Sequence, residues 1–250
     1  GAGSLVRRAL LMTGRLSVRE DLLDHDYKEL TIQREHAAGL TPTALHIWPR
    51  GGFMLIALPN PDGSFTATLF LPRSGRVSFA ALDSADAVQR FFAAEFPDVL
   101  RRIPDLQRQF TDHPQGLMGT IHCRPWGLPG RVLLVGDAAH AIVPFHGQGM
   151  NCAFEDCVEL DDLLRVARRE SIHFDPLRLC TDFEQRRRPN TEAIAQMALE
   201  NYVEMRDTVR EPAFLRQKSI ASQLERRHPR RFIPRYSMVS FHPEIPYAEA

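Results

Sequence analysis

The chain has 250 residues, 44% hydrophobic and 25% charged, which is ordinary soluble globular composition and leaves ample core for one large domain or two small ones. Its 31 basic and 31 acidic residues cancel, which argues against long-range steering of nucleic acid or of an anionic membrane surface. No run reaches the roughly 18 apolar residues of a membrane span, and no signal-peptide layout opens the chain. The four cysteines (Cys123, Cys152, Cys157, Cys180) are too scattered for a disulfide framework or a metal-spaced pair. A reducing cytoplasm is therefore the expected compartment. The basic runs Arg186-Arg187-Arg188 and Arg226–Arg231 sit in charge-mixed context and read as solvated faces.

Residues 5–14 read as a short helix, with a linker to residue 26. Strand-like segments follow at Tyr27–Gln33, Ala44–Trp48, Phe53–Leu58 and Ser64–Leu71. The Pro59-Asn60-Pro61-Asp62-Gly63 turn makes the last two a hairpin, and residues 27–71 an antiparallel sheet of about three or four strands. Phe53–Leu58 is apolar on both faces, so it lies between core layers or lines a pocket; the pattern alone favours core. Residues 84–96 read as a helix capped by Ser84 with Val88, Phe91 and Phe92 on one stripe, and 98–109 as a second helix. Residues 119–124 are strand-like, and Arg131–Val135 has the continuous apolar character of a buried parallel strand. From Gln148 to Glu170 the pattern is helical, with Ala153, Cys157, Leu160 and Leu164 on one face and early carboxylates that complement the helix dipole. After the His173–Pro176 turn the chain is mostly helical to residue 228, with a break or kink at Pro189, and Phe232–Ala250 is extended or loop.

The chemistry concentrates in Arg131–Asn151. Gly136 permits a tight exit from the strand, and Asp137 then sits at a carboxyl end, where open α/β sheets place ligands and where a carboxylate accepts from ligand hydroxyls. Gly147 and Gly149 allow close backbone approach. The helix behind them presents free N–H groups and a positive dipole to a phosphate or an anionic ring. The sequence contains no GxSxG, HExxH, GxGxxG or GxxxxGK[ST], so serine hydrolase and zinc protease chemistry are unsupported. No histidine cluster suggests a metal.

The series Gly136-Asp137-Ala138-Ala139-His140, Pro144 and Gly147-Gln148-Gly149-Met150-Asn151 resembles the second FAD-binding motif of single-component flavoprotein aromatic hydroxylases. Tyr27–Ile32, His46–Arg50, Phe53–Asn60, Thr68–Pro72, Phe154–Cys157, Asn201–Arg206 and Phe232–Tyr236 narrow the resemblance to the kynurenine-hydroxylating branch. It implies an α/β fold with α+β character: an antiparallel substrate-domain sheet, the second half of a Rossmann-like FAD domain, and C-terminal helices. The implied divisions are 1–26 helix and linker, 27–124 substrate sheet, 125–170 FAD half and 171–250 helical region. It also implies that the opening Gly1-Ala2-Gly3-Ser4 follows an absent ADP-binding segment, and that helices beyond Ala250 are missing.

For function, the resemblance implies NADPH-driven flavin reduction, O2 capture as a C4a-hydroperoxide and hydroxylation of L-kynurenine to 3-hydroxykynurenine, with the flavin supplying the chemistry. The implied FAD contacts are Gly136, Asp137, Ala138, Pro144, Gly147, Gln148, Gly149, Met150 and Asn151. The implied substrate contacts are an apolar wall of Leu45, Met54, Ile56, Leu58 and Phe70, the loop Pro144, Phe145, His146 and Gln148, and Asn201, Met205 and Tyr236. Asn201 and Met205 share a helix face with Ile194 and Ala198; an Asn there is ordinarily a locally satisfied polar group, and the resemblance makes it a contact. Glu29 is a lesser candidate in the same sheet. No general acid or base and no metal ligand is assigned. Two alternatives stay open: a flavin-free, non-catalytic fragment, and a related flavin hydroxylase acting on another aromatic substrate.

Overall fold

The computed structural model describes residues 1–169 and 175–250. Glu170, the expected end of one helix, and His173-Phe174 of the expected turn lie outside the described residues.

β3 (Met54–Pro59) and β4 (Phe65–Pro72) form the hairpin that the turn residues predict. Asp62 Oδ1 accepts from the Ser64 N–H at 2.9 Å and the Ser64 hydroxyl at 2.7 Å, while Gly63 takes φ 85°, so the turn is closed by its own side chains. β2 (His46–Pro49) pairs antiparallel with β3, and β1 (Ser17–Ile32) with β4. β5 (Gln115–Arg124) completes a five-stranded sheet in the order β2-β3-β4-β1-β5. The stretch before Tyr27 is thus strand, not linker. Its charged residues hide the periodicity and pair along the strand, as in Arg19–Asp21 at 3.0 Å, and with the neighbouring β5, as in His122–Asp21 at 3.3 Å.

One face of the sheet carries Leu30, Ile32, Leu55, Ala57, Ala67, Leu69 and Leu71. It is packed by α2 (Ala85–Glu95), α3 (Pro97–Leu100) and α4 (Leu106–Asp112) through Val88, Phe92, Phe96, Val99, Ile103, Leu106 and Phe110. Ser84 caps α2 as its residue type predicts. The single helix expected over 98–109 is two, because Pro104 disfavours helical backbone at Ile103.

The chain divides into two units, Leu22–Met118 with Val203–Arg216, and Gly1–Asp21 with Gly119–Tyr202 and Gln217–Ala250. The second unit contains α1 (Leu5–Met12), a β6 (Gly127–Leu128) to β7 (Val132–Leu133) ribbon, α5 (Asp137–His140), α6 (Gly149–Arg169) and α9 (Arg235–Phe241). α7 (Pro176–Arg206) and α8 (Pro212–Arg227) belong mostly or partly to it. One cluster in this unit joins Leu16, Trp126, Leu134, Ala139, Leu163 and Phe183; another joins Cys152, Ile194, Met197, Val239 and Tyr247.

The structure corrects four further expectations. The 131–135 segment is not a buried parallel strand: β7 is short, half-buried and paired antiparallel with β6, across a turn that Gly127 (φ 135°) and Gly130 (φ 75°) permit. α7 does not end at Pro189, because buried side chains on both sides of it, Phe183 and Arg187 before and Thr191 and Ile194 after, keep both halves packed. Phe232–Ala250 is not all extended, since α9 and a turn at Tyr247–Glu249 occupy much of it. The Arg186–Arg188 run is a solvated face only in part: Arg186 is exposed, whereas Arg187 is buried and ion-paired. Among the described residues, no helix is long and apolar enough to cross a membrane.

Candidate functional site

The centre of the site is the turn from Leu134 into α5. Leu134 N donates to the Trp126 carbonyl at 2.7 Å and ends the ribbon. Gly136 then takes φ 57°, ψ −146°, and its carbonyl accepts from Ala139 N at 2.8 Å and His140 N at 3.0 Å. A Cβ at Gly136 would stand 3.0 Å from the Ala153 Cβ, so both the backbone conformation and the approach of α6 require glycine. Asp137 follows as the first residue of α5, exposed, with no hydrogen bond or ion pair to its carboxylate among the described residues.

Behind the turn lies a buried ionic network. Asp156 of α6 accepts from Gly136 N at 2.7 Å and from His140 Nε2 at 2.6 Å on one oxygen, and from Arg187 Nε at 2.8 Å on the other. Arg187 also pairs with Glu155 at 2.9 Å and donates to the Cys152 carbonyl at 3.1 Å. Burial alone would raise the Asp156 pKa, but the bonds from His140, Arg187 and Gly136 and the His140 charge outweigh it and hold it below the ordinary carboxylate range. Burial pushes the neighbouring Cys152 thiol up to about 12, so it is an inert packing group. The early carboxylates of α6 thus pair with arginines, Glu159 with Arg186 at 2.8 Å and Asp161 with Arg165 at 2.7 Å, rather than simply answering the dipole.

The second arm is Pro144–Gly147. Pro144–His146 makes one tight turn, Gly147 N donates back to the Pro144 carbonyl at 2.9 Å, and Gly147 takes the left-handed φ 69° that lets the chain enter α6 at Gly149. The turn is propped from within the same unit. Asn201 Nδ2 donates to the Phe145 carbonyl at 2.6 Å, the Phe145 and Tyr202 rings stack at 4.2 Å, and those of His146 and Tyr236 at 5.2 Å. Gly149 is less demanding: a Cβ there would meet only Ile142 Cγ1 at an ordinary 3.8 Å.

Between these arms a cavity of about 650 Å³ opens, lined by Gly136, Asp137, Pro144, Gly147, Gly149 and Met150, with Ala153, Phe154 and Cys157 of α6 as its wall. The α6 face expected to be core is therefore partly cavity wall; the buried stripe is Cys152, Asp156 and Leu163. The first-turn N–H groups of α6 have no intrahelical partners and give this end a positive potential.

The structure brings six of the nine expected cofactor residues to this cavity. Ala138, Gln148 and Asn151 do not line it. The Ala138 carbonyl accepts from Arg7 Nη1 at 2.9 Å, and the Gln148 Oε1 accepts from Asn151 Nδ2 at 2.8 Å and Tyr247 OH at 3.2 Å. Of the expected substrate residues, Pro144, Phe145, His146, Gln148, Asn201 and Tyr236 fall in this unit. All but Pro144 are engaged internally: Asn201 with the Phe145 carbonyl, the Phe145 ring with Tyr202, Gln148 with Asn151 and Tyr247, and the His146 and Tyr236 rings with each other. Leu45, Met54, Ile56, Leu58, Phe70 and Met205 fall in the sheet unit. There the register sets Met54 opposite Phe70, Ile56 opposite Thr68 and Leu58 opposite Thr66, on the face away from the helix-packed core. Met54, Ile56, Phe70 and Met205 are buried, whereas Leu45 and Leu58 are exposed. Exposed Glu29 pairs with Thr68 in the β1–β4 register.

Sequence reasoning missed Asp156, Arg187, His140 and Tyr247 as site-supporting residues. The signal for Asp156 was an acidic residue spaced four from Cys152 and seven from Leu163, on a stripe otherwise apolar, which marks a buried carboxylate in need of a partner.

Residues 118–198 match the family model described as FAD binding domain. Kynurenine 3-monooxygenase of Xanthomonas axonopodis pv. citri is 51% identical over 96% of this chain and 52% of its own length. That of Stenotrophomonas maltophilia is 51% identical over all of this chain and 54% of its own length. The chain thus spans about half the length of the curated relatives it matches. Among solved structures, a substituted form of Klebsiella pneumoniae HpxO complexed with FAD superposes with TM-score 0.64 at 18% identity, covering 90% of this chain and 58% of that one. Tetrameric 2-methyl-3-hydroxypyridine-5-carboxylic acid oxygenase gives TM-score 0.60 at 20% identity, covering 80% of this chain and 53% of that one. These likenesses show the fold. Over the half of those relatives that it covers, the chain is similar in sequence to kynurenine 3-monooxygenases.

Proposed function

Proceeding from that similarity, we propose that the chain holds the ribityl and isoalloxazine end of FAD in a flavoprotein monooxygenase that hydroxylates L-kynurenine to 3-hydroxykynurenine with NADPH and O2. The observation that carries this reading is the Gly136–Asp137 turn opening on the same cavity as Gly147 and the α6 N-terminus. The donor set suits the group. The carboxylate of Asp137 stands exposed to accept from polyol hydroxyls, Gly147 leaves open space beside the backbone, and the helix end favours an electron-rich ring edge. A volume of about 650 Å³ is in the range of cofactor pockets. Bound flavin supplies the hydride acceptance and oxygen activation.

The chain's own part is to bind and to exclude water. In the sheet unit, Met54, Ile56 and Phe70 offer an apolar wall suited to an aniline ring. In the other unit, Pro144–His146 is a loop fixed at the flavin end by Asn201 and by the Tyr202 and Tyr236 rings. Asn201 acts on this reading through the Phe145 carbonyl, fixing the loop, in place of the direct substrate contact expected from the sequence.

The test is a flavin-fluorescence titration of the chain and of Asp137→Ala. A carboxylate accepting ligand hydroxyls is worth about 1.5–3 kcal/mol, so the variant should bind FAD at least about tenfold more weakly with its fold intact. Equal affinities would remove Asp137 from the site. A preparation that neither quenches nor takes up flavin would favour the flavin-free reading.

A further inference from the structure

Asp156 is wholly buried, yet it does not line the cavity. Its two oxygens gather three donors from two separate pieces of chain: the Gly136 N–H and the His140 ring at the two ends of α5, and the Arg187 guanidinium of α7. A buried carboxylate is costly unless its charge is matched and its lone pairs are filled, and here Arg187, itself buried, supplies the charge. The Gly136 bond is the one with consequence. Gly136 has no side chain to brace it, its backbone is in a region that glycine alone adopts readily, and the next residue is Asp137. The bond from Gly136 N to Asp156 fixes the direction in which Asp137 leaves the turn. The bond from His140 closes the same short helix from its other end.

Resting on the flavin reading above, we propose that Asp156 is a positioning residue: it locks the Gly136–Asp137 turn and thereby sets the affinity of Asp137 for the polyol hydroxyls of a flavin side chain, without touching the ligand. Mere packing of α6 against α7 would predict that loss of Asp156 affects every ligand of the cavity equally. Positioning predicts a loss confined to ligands that carry the polyol.

The experiment uses the isotopically labelled chain, its Asp156→Asn variant, Asp137→Ala and the double variant. Amide exchange is followed at Gly136, and amide-shift titrations are run with riboflavin, which carries the ribityl chain, and lumiflavin, which is the ring alone. Such titrations read millimolar affinities. In Asp156→Asn, Gly136 exchange should rise about tenfold while the β3 and β4 amides keep their protection, and riboflavin affinity should fall about tenfold with lumiflavin affinity within about twofold. The double variant should bind riboflavin no more weakly than Asp137→Ala, since both changes act through one carboxylate. Unchanged Gly136 exchange, equal losses for the two flavins, or additive losses would overturn the proposal. Should Asp156→Asn fail to fold, His140→Gln keeps the Asp156–Arg187 pair and should show the same pattern at about threefold. Should the unaltered chain bind neither flavin, the flavin reading falls and takes the affinity half of the proposal with it, while Gly136 exchange still decides the turn-locking half.

Discussion

Gly136 and Asp137 are adjacent, and their substitutions should behave oppositely. Gly136→Ala places a Cβ 3.0 Å from Ala153 on backbone at φ 57°, so unfolding stability should fall by about 1–3 kcal/mol, measured by thermal or urea denaturation. A variant within about 0.5 kcal/mol of the parent would show that α6 gives way without cost. Asp137→Ala removes an exposed carboxylate with no partner among the described residues and should leave stability within about 0.5 kcal/mol while weakening flavin binding. Both residues were legible in the sequence because each carries its own signal: a glycine ending an apolar run, then an acid. Asp156 was not, because its donors lie 16, 20 and 31 positions away and a buried ion pair leaves no local period. Asn201 was legible as a member of a helix face but not in its role, since its acceptor, the Phe145 carbonyl, is 56 positions distant.

At the scale of elements, the turn into β3 carries a pH dependence. His25 Nε2 donates to the Gly52 carbonyl at 2.7 Å, and Asp207 Oδ1 accepts from Gly52 N at 2.7 Å, so two side chains clamp the Gly51-Gly52 turn ahead of Met54. Burial lowers the His25 pKa, helped by the Arg206 charge and opposed by the Gly52 bond and by Asp24 and Asp207. The folded state therefore takes up this proton less readily than the unfolded chain, whose histidines titrate near about 6.5. As pH falls below that value the unfolded state gains protons that the native state does not, and stability drops. Burial would raise the Asp207 pKa, but the Arg206 and Gly52 bonds lower it, so its stabilisation is fully present throughout this window and is lost only as pH falls below the ordinary carboxylate range. Urea midpoints should thus fall between pH 7 and 5, and His25→Gln should flatten that slope; an identical slope in the variant would assign the dependence elsewhere. Turn chemistry made the β3–β4 hairpin and the capped α2 readable. The first half of β1 and the continuity of α7 through Pro189 were not, because distant strand pairing and tertiary packing decided them against local preference.

Across the whole molecule, the candidate residues fall into two units, the ring-side loop and Asp137 in one and the apolar sheet face in the other. Composition and alternation gave the sheet unit most of its outline, whereas the assignment of Val203–Arg216 to it depends on contacts remote in sequence, such as Asp207 with Gly52. On the proposed function, the flavin end of the cofactor sits against Gly136–Cys157. The most direct measurement is an FAD titration of the isotopically labelled chain, followed at every backbone amide. The largest shifts should fall at Gly136–Ala139, Gly147–Asn151 and Ala153, and in Asp137→Ala the same shifts should need about tenfold more FAD. Shifts centred on any other part of the chain, or none at millimolar FAD, would contradict the account.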